Sequence, residues 1–114
     1  MNADMLDLAR RAVACEGWRW MPGMKVIDSV RMTEGMLKFT HSSDLPDLTD
    51  PATLGCLLAL VREAWGDPSL SVLFDHDGCR WRVGRWEDDG LALRCRPADT
   101  EAESLVAALE AAPQ

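Results

Sequence analysis

LSVLFDHDGCRWRVGRWEDDGLALRCR, residues 70–96, decides the fold. Leu70 to Phe74 reads as a strand, Asp77-Gly78 as a tight hairpin turn, and Cys79 to Trp86 as the returning strand. Glu87-Asp88-Asp89-Gly90 turns the chain again into Leu91 to Arg96, and Pro97, which cannot donate to a ladder, stops the third strand. The alternation along the middle strand directs Trp81 and Val83 to the core and Arg80, Arg82 and Trp86 to the opposite side. The segment is thus a three-stranded antiparallel meander.

On either side of the meander stands a helix with marked ends. Before it, Asp50 supplies a cap, Pro51 the first helical position and Gly66-Asp67-Pro68 the stop; Leu54, Leu57, Leu58, Val61 and Trp65 form an apolar face. This helix is expected to be the centre of the core. After the meander, Thr100-Glu101-Ala102-Glu103 matches a capping box, and Leu105, Val106 and Leu109 mark a last helix to about Ala112. Their narrow stripe has two outlets, packing within the chain or against a symmetry mate. A homo-oligomer is therefore expected.

Further out, Asp4 to Cys15 has helical spacing, with Asn2 or Asp4 as cap and Gly17 as stop. Met24, Val26, Val30 and Met32 alternate like a strand broken only at Asp28, and Thr33-Glu34-Gly35 should return the chain through Met36 to His41, with Leu37 and Phe39 facing the core. His41 to Asp47 has the composition of a surface loop. The order is α-β-β-α-β-β-β-α. Strands separated by one strong helix give the α+β class, an antiparallel sheet packed by helices, rather than a doubly wound parallel sheet. Residues 1–114 are expected to form one domain.

Composition narrows the functions. A net charge of −7 disfavours duplex nucleic acid as a partner, because phosphate neutralisation needs a basic surface. No run approaches the ~18 apolar residues of a membrane span, and no secretory signal is evident at the start. The four cysteines, Cys15, Cys56, Cys79 and Cys95, are too widely spaced for a zinc knuckle and read as reduced thiols in a cytosol. His76, in Asp75-His76-Asp77, lacks a second ligand or a matching nucleophile, so it reads as a solvated turn residue. Phosphate-loop and hydrolase-elbow motifs are absent. No catalytic residue, metal or cofactor is assigned, and the protein is expected to bind rather than to catalyse.

What remains is the pairing of tryptophan with arginine. Five tryptophans occur with no tyrosine, and Trp18-Arg19-Trp20, Arg80-Trp81-Arg82 and Arg85-Trp86 place indoles beside guanidinium groups. An indole face stacks on planar rings, and a guanidinium offers forked donors to phosphate or carboxylate. Trp18, Arg19, Trp20, Arg80, Arg82 and Trp86 are the candidate ligand-binding set. The competing reading is that the tryptophans fill the core and the arginines pair with carboxylates.

The stretches LARRAVACEGWRWMPGM (residues 8–24) and DLPDLTDPATLGCLLALVREAWG (44–66), with the closing TEAESLVAALEAAP (100–113), resemble a family of small uncharacterised proteins encoded by tailed bacteriophages. The resemblance implies a phage origin and, by analogy with accessory phage proteins, a place in the host cytoplasm and antagonism of a host defence system. Sequestration of an anionic, nucleotide-derived signal is the first expectation. Direct contact with a host defence protein is the second, and a small nucleotide-processing enzyme centred on His76 the third.

Overall fold

A computed structural model describes residues 3–113 and bears out the α+β class. Three helices, α1 (Ala3–Ala14), α2 (Pro51–Trp65) and α3 (Glu101–Ala111), accompany one antiparallel sheet of β1 (Ser71–Asp75), β2 (Arg80–Glu87) and β3 (Gly90–Leu93), in spatial order β1-β2-β3. Asn2, one of the two expected caps of α1, lies outside the described residues.

The marked helix ends form as their residues dictate. The Asp50 carboxylate accepts hydrogen bonds from the Thr53 amide and hydroxyl, both at 2.9 Å, Pro51 opens α2, and Gly66 closes it in the left-handed region at φ 62°. Thr100 Oγ1 accepts from the Glu103 amide at 3.0 Å and starts α3. The core assigns the leading part differently from the sequence pattern. It is α3 that packs on the sheet, with α1 and α2 set against it, and Ala102, Ser104, Leu105, Val106, Ala108 and Leu109 are all buried. Ala102 and Ala108 let three neighbours approach, so the Leu105, Val106 and Leu109 stripe is enclosed within its own chain and is not what meets a symmetry mate. The buried face of α2 is turned accordingly, to Thr53, Leu57, Leu60 and Val61, while Leu54, Leu58 and Trp65 are half-buried. Trp65 Nε1 donates to the Ala108 carbonyl at 2.9 Å and ties α2 to α3.

The meander forms, though its third strand ends at Leu93, short of Arg96 and Pro97, and its strands pair with Leu73 opposite Arg82, Val72 opposite Val83 and Trp86 opposite Leu91. Its first turn is longer than the two residues Asp77-Gly78. The strands part at the Asp75–Arg80 pair, Asp75 Oδ1 accepts from the amides of Asp77 and Gly78, and Cys79 rather than a glycine takes the left-handed backbone at φ 51°. Beyond β3 the chain stays beside β2, since Trp81 and Ala98 exchange amide-to-carbonyl bonds and the Arg94 amide donates to the Val83 carbonyl.

The expected first hairpin, residues 24–41, is replaced. Asp28 adopts φ 54° and folds the apparent strand in half: the Val26 amide donates to the Val30 carbonyl, and Gly23 and Met32 amides bond across at the open end. Met24, Val26 and Met32 are buried as their alternation requires, whereas Val30, beside the fold, is 51% exposed. The partner of Val26 is Pro46 rather than the 36–41 segment, which coils into a 3₁₀ helix, Glu34–Phe39, with no buried side chain and with Phe39 69% exposed. With 45–47 on one side of 25–27 and 30–31 on the other, residues 36–41 have no place beside that limb, and the alternation of Leu37 and Phe39 has no sheet to face.

Gly84 is the tightest point of the sheet. A Cβ there would lie 2.5 Å from the Ala92 carbonyl oxygen, a backbone atom that cannot yield without moving β3. Gly84→Ala should therefore lower the unfolding free energy by about 1–3 kcal/mol in denaturant titrations, while Gly55→Ala, where a Cβ meets nothing within 4 Å, should not.

Candidate functional site

Because α3 takes one face of the sheet, the other is free. On that face, alternation sets Leu73 beside Arg82 and Trp86 beside Leu91 across the strands, and Leu93 follows next to Gly84. Trp86 is 74% exposed, the most exposed of the large apolar side chains among the described residues. Leu73, Phe74, Asp75, His76, Asp77, Arg82, Trp86 and Leu91 enclose an open groove of about 520 Å³. Its charge is set at the ends of the hairpins. Asp75 and Asp77 stand at one end, and exposed Glu87, Asp88 and Asp89 follow Trp86 at the other.

The six sequence-derived candidates separate into two groups that no hydrogen bond, ion pair or ring contact among the described residues joins. Trp18 and Trp20 meet edge to face, with ring centroids 5.5 Å apart, and both pack half-buried against the core. Arg19, between them, is held by Glu63 of α2 at 2.7 Å. Arg82 and Trp86 share the open face, as the alternation requires, and Arg80 stands at the start of the same strand, 3.1 Å from Asp99. Arg82 Nη2 lies 3.3 Å from Asp75 Oδ2, and its buried Nε has no acceptor. Each of the three candidate arginines thus carries a carboxylate of its own, and Trp86 is the one candidate indole left to solvent. Leu73, Leu91 and Leu93 were missed. Their signal was present in the sequence, because a two-residue Asp88-Asp89 turn places Leu91 opposite Trp86.

No protein-family model, no curated protein and no solved structure matches the chain. The geometry is therefore the ground for any assignment. His76 is exposed on the groove rim with its ring against Phe74, centroids 5.0 Å apart, and the Asp75 carboxylate is taken by the turn amides and Arg82, while Asp77 lines the same groove. Among the described residues no three His, Cys, Asp or Glu side chains are grouped to hold a metal ion, and no helix is long and apolar enough to cross a membrane.

The strongest electrostatics lie away from the groove and are structural. Asp67, buried at the end of α2, accepts from the Ser69 hydroxyl at 2.6 Å and amide at 3.0 Å, and sits 3.2 Å from Arg85 Nη1 and 3.9 Å from Arg94, whose guanidinium lies over Trp65. The Ser69 bonds, with Arg85 and Arg94, hold the Asp67 carboxyl below its ordinary range against the cost of burial. Arg31 grips Asp50 with two bonds of 2.8 Å and donates also to the Gly23 carbonyl, pinning the folded 23–32 loop to the start of α2. This pairing, and the Thr53 bonds, hold Asp50 well below the usual carboxylate range. At Asp47 burial pushes upward, but the Thr49 hydroxyl and amide and Lys25 outweigh it.

All three folded carboxyls titrate below their unfolded counterparts. Their contribution is complete above the unfolded value, near pH 4, and drains away as pH falls toward the folded values. Thermal unfolding should thus hold a level midpoint from neutral pH to about pH 5 and then drop. Asp50→Asn should start from a lower midpoint and show a shallower acid slope; an unchanged slope would remove Arg31–Asp50 from this role.

Proposed function

We propose that the protein acts by stoichiometric binding, and that the open sheet face docks on a partner protein whose contact surface is apolar at its centre and basic at its rim. The observation that carries this reading is Trp86, standing 74% exposed among Leu73, Leu91 and Leu93 on the face that α3 leaves bare. A large indole with Leu91 opposite it and Leu93 and Leu73 on the same face is the composition of an interface centre, where burial on binding exceeds that of scattered surface residues. The acids at both ends of the hairpins, within a chain of net charge −7, fix the sign of the partner. A basic rim is the footprint of proteins that bind nucleic acid. Together with the resemblance to phage proteins, this favours a host defence protein engaged in the host cytoplasm.

A nucleotide-derived signal stacked on Trp86 is the alternative occupant. It would meet a groove with two carboxylates, Asp75 and Asp77, and one guanidinium, Arg82, already turned to Asp75. Phosphate needs the reverse balance. The other two cations of the candidate set are engaged as well, Arg19 by Glu63 on a different part of the surface and Arg80 by Asp99.

Photo-crosslinking separates the two. A benzophenone side chain in place of Trp86, irradiated in bacteria during expression, should give an adduct with one recurrent polypeptide that excess unlabelled protein displaces. Trp86→Ala in the competitor should weaken displacement by about 2 kcal/mol or more, the scale of an interface anchor. Trp18→Phe should compete like the parent. Absence of a polypeptide adduct, with saturable quenching of tryptophan fluorescence by a cyclic dinucleotide, would overturn the protein reading in favour of the nucleotide.

A further inference from the structure

The free edge of β1, which adjoins the groove at Leu73 and Phe74, carries a second surface. In an antiparallel sheet the N–H and C=O of one residue point to the same side, and the side alternates along the strand. Trp81 and Val83 of β2 spend theirs on the far side, Trp81 with Ala98 and Val83 with the Arg94 amide. Their cross-strand partners on β1, Phe74 and Val72, therefore receive no ladder bonds from β2, which bonds instead through Ser71, Leu73 and Asp75. The N–H and C=O of Val72 and Phe74 point outward from the sheet edge, and no hydrogen bond within the described residues meets them. Just upstream the equivalent outward carbonyl, that of Leu70, is closed by Arg62 Nε at 2.7 Å.

We infer that a second copy of this chain occupies that edge, β1 pairing antiparallel with β1 of its partner about a two-fold axis through Leu73. In this register Val72 faces the partner's Phe74, so the outward groups meet each other and each pair exchanges both of its bonds. The side chains agree with the backbone. Leu73 meets the partner's Leu73 on the open face, Val72 covers Phe74, which is 41% exposed in the single chain, and Ser71 stands opposite the partner's Asp75 with no like charges directly paired. The result is a continuous six-stranded sheet with the two grooves meeting at the axis, because Leu73 and Phe74 line both groove and edge.

The opposite edge is flanked by charges, whereas at β1 the Arg62 guanidinium stops at Leu70, ahead of the outward groups of Val72 and Phe74. Beside Leu93 and Cys95 stand Arg11, Arg96 and Glu110, charges of the kind that keep sheet edges apart. Along β1 the one charge, Asp75, is turned to Arg82 on the sheet face. This assembly also replaces the helix-mediated one that the stripe of α3 suggested, since Leu105, Val106 and Leu109 are fully enclosed.

Sedimentation equilibrium of the full chain should show a reversible dimer. Dimerisation should strengthen as salt is raised, because two chains of −7 must be brought together. Phe74→Pro removes an outward N–H that β2 does not use, and should leave a monomer with the parent's circular dichroism. Should that variant unfold, cysteine placement keeps the question decidable. In a Cys79→Ser background, Leu73→Cys on the axis should oxidise to a covalent dimer, and Leu93→Cys at the guarded edge should not. A parent chain that stays monomeric at every salt concentration, a folded Phe74→Pro dimer, or equal cross-linking at positions 73 and 93 would each overturn the inference.

Discussion

The enclosure of α3 is the constraint on which the other features rest. Leu105, Val106 and Leu109 cannot be shared between one neighbour and solvent, because the sheet, α1 and α2 each claim a side of the helix. Alanine at 102 and 108 permits the approach, and the Trp65 bond to the Ala108 carbonyl fixes α2 at its height along α3. A sheet of three strands has two faces, and one helix layer covers one of them. The exposure of Trp86 follows from this economy together with the period-two alternation of β2, which turns its indole to the uncovered face.

The second constraint is electrostatic. This acidic chain keeps half of its ten arginines in these internal ties: Arg31 to Asp50, Arg85 and Arg94 to Asp67, Arg19 to Glu63, Arg82 to Asp75. Those ties join segments distant in sequence, the 23–32 loop to α2 and the end of α2 to the sheet. Exposed pairs of this kind contribute little each, but Asp50 and Asp67 also satisfy backbone amides, so losing the first loosens the start of α2, and losing the second the turn from α2 into β1, as well as an ion pair. Cation and indole adjacent in sequence therefore do different work here: the cation is consumed by folding, and the indole at 86 is left for contact.

What the sequence discloses depends on how local the cause is. Caps are local, and Asp50, Pro51, Gly66 and Thr100 mark their helices where they occur. The meander is nearly so, since its turns lie within reach of both strands; only the left-handed Cys79 departs from the expected glycine turn. The 24–41 segment misleads because its alternation is real for burial yet silent about direction. Met24 and Met32 reach the core from two limbs of a loop folded at Asp28, and the place expected for residues 36–41 is taken by 45–47, a competitor that no short window reveals. The low apparent rank of α3 has a similar origin, for a helix buried on several sides carries small residues where an amphipathic one carries charges. In the candidate site, outward Trp86 and Arg82 were legible from period-two alternation. The partition of Trp18 and Trp20 into the core, and the neutralisation of Arg19 by Glu63, depend on α2 lying beside the 17–20 loop, which is tertiary information.

Native-state hydrogen exchange followed residue by residue by NMR tests the central role of α3 most directly. Amides from Leu105 to Leu109 are expected to exchange only through global unfolding, with a denaturant dependence equal to that of the whole molecule. The 3₁₀ helix at 34–39 should open first, and α2 should open at or below the global free energy. Exchange of the α3 amides through a smaller, local opening while α2 and the sheet stay protected would contradict the assignment of α3 as the element on which the fold, and hence the open face, depends.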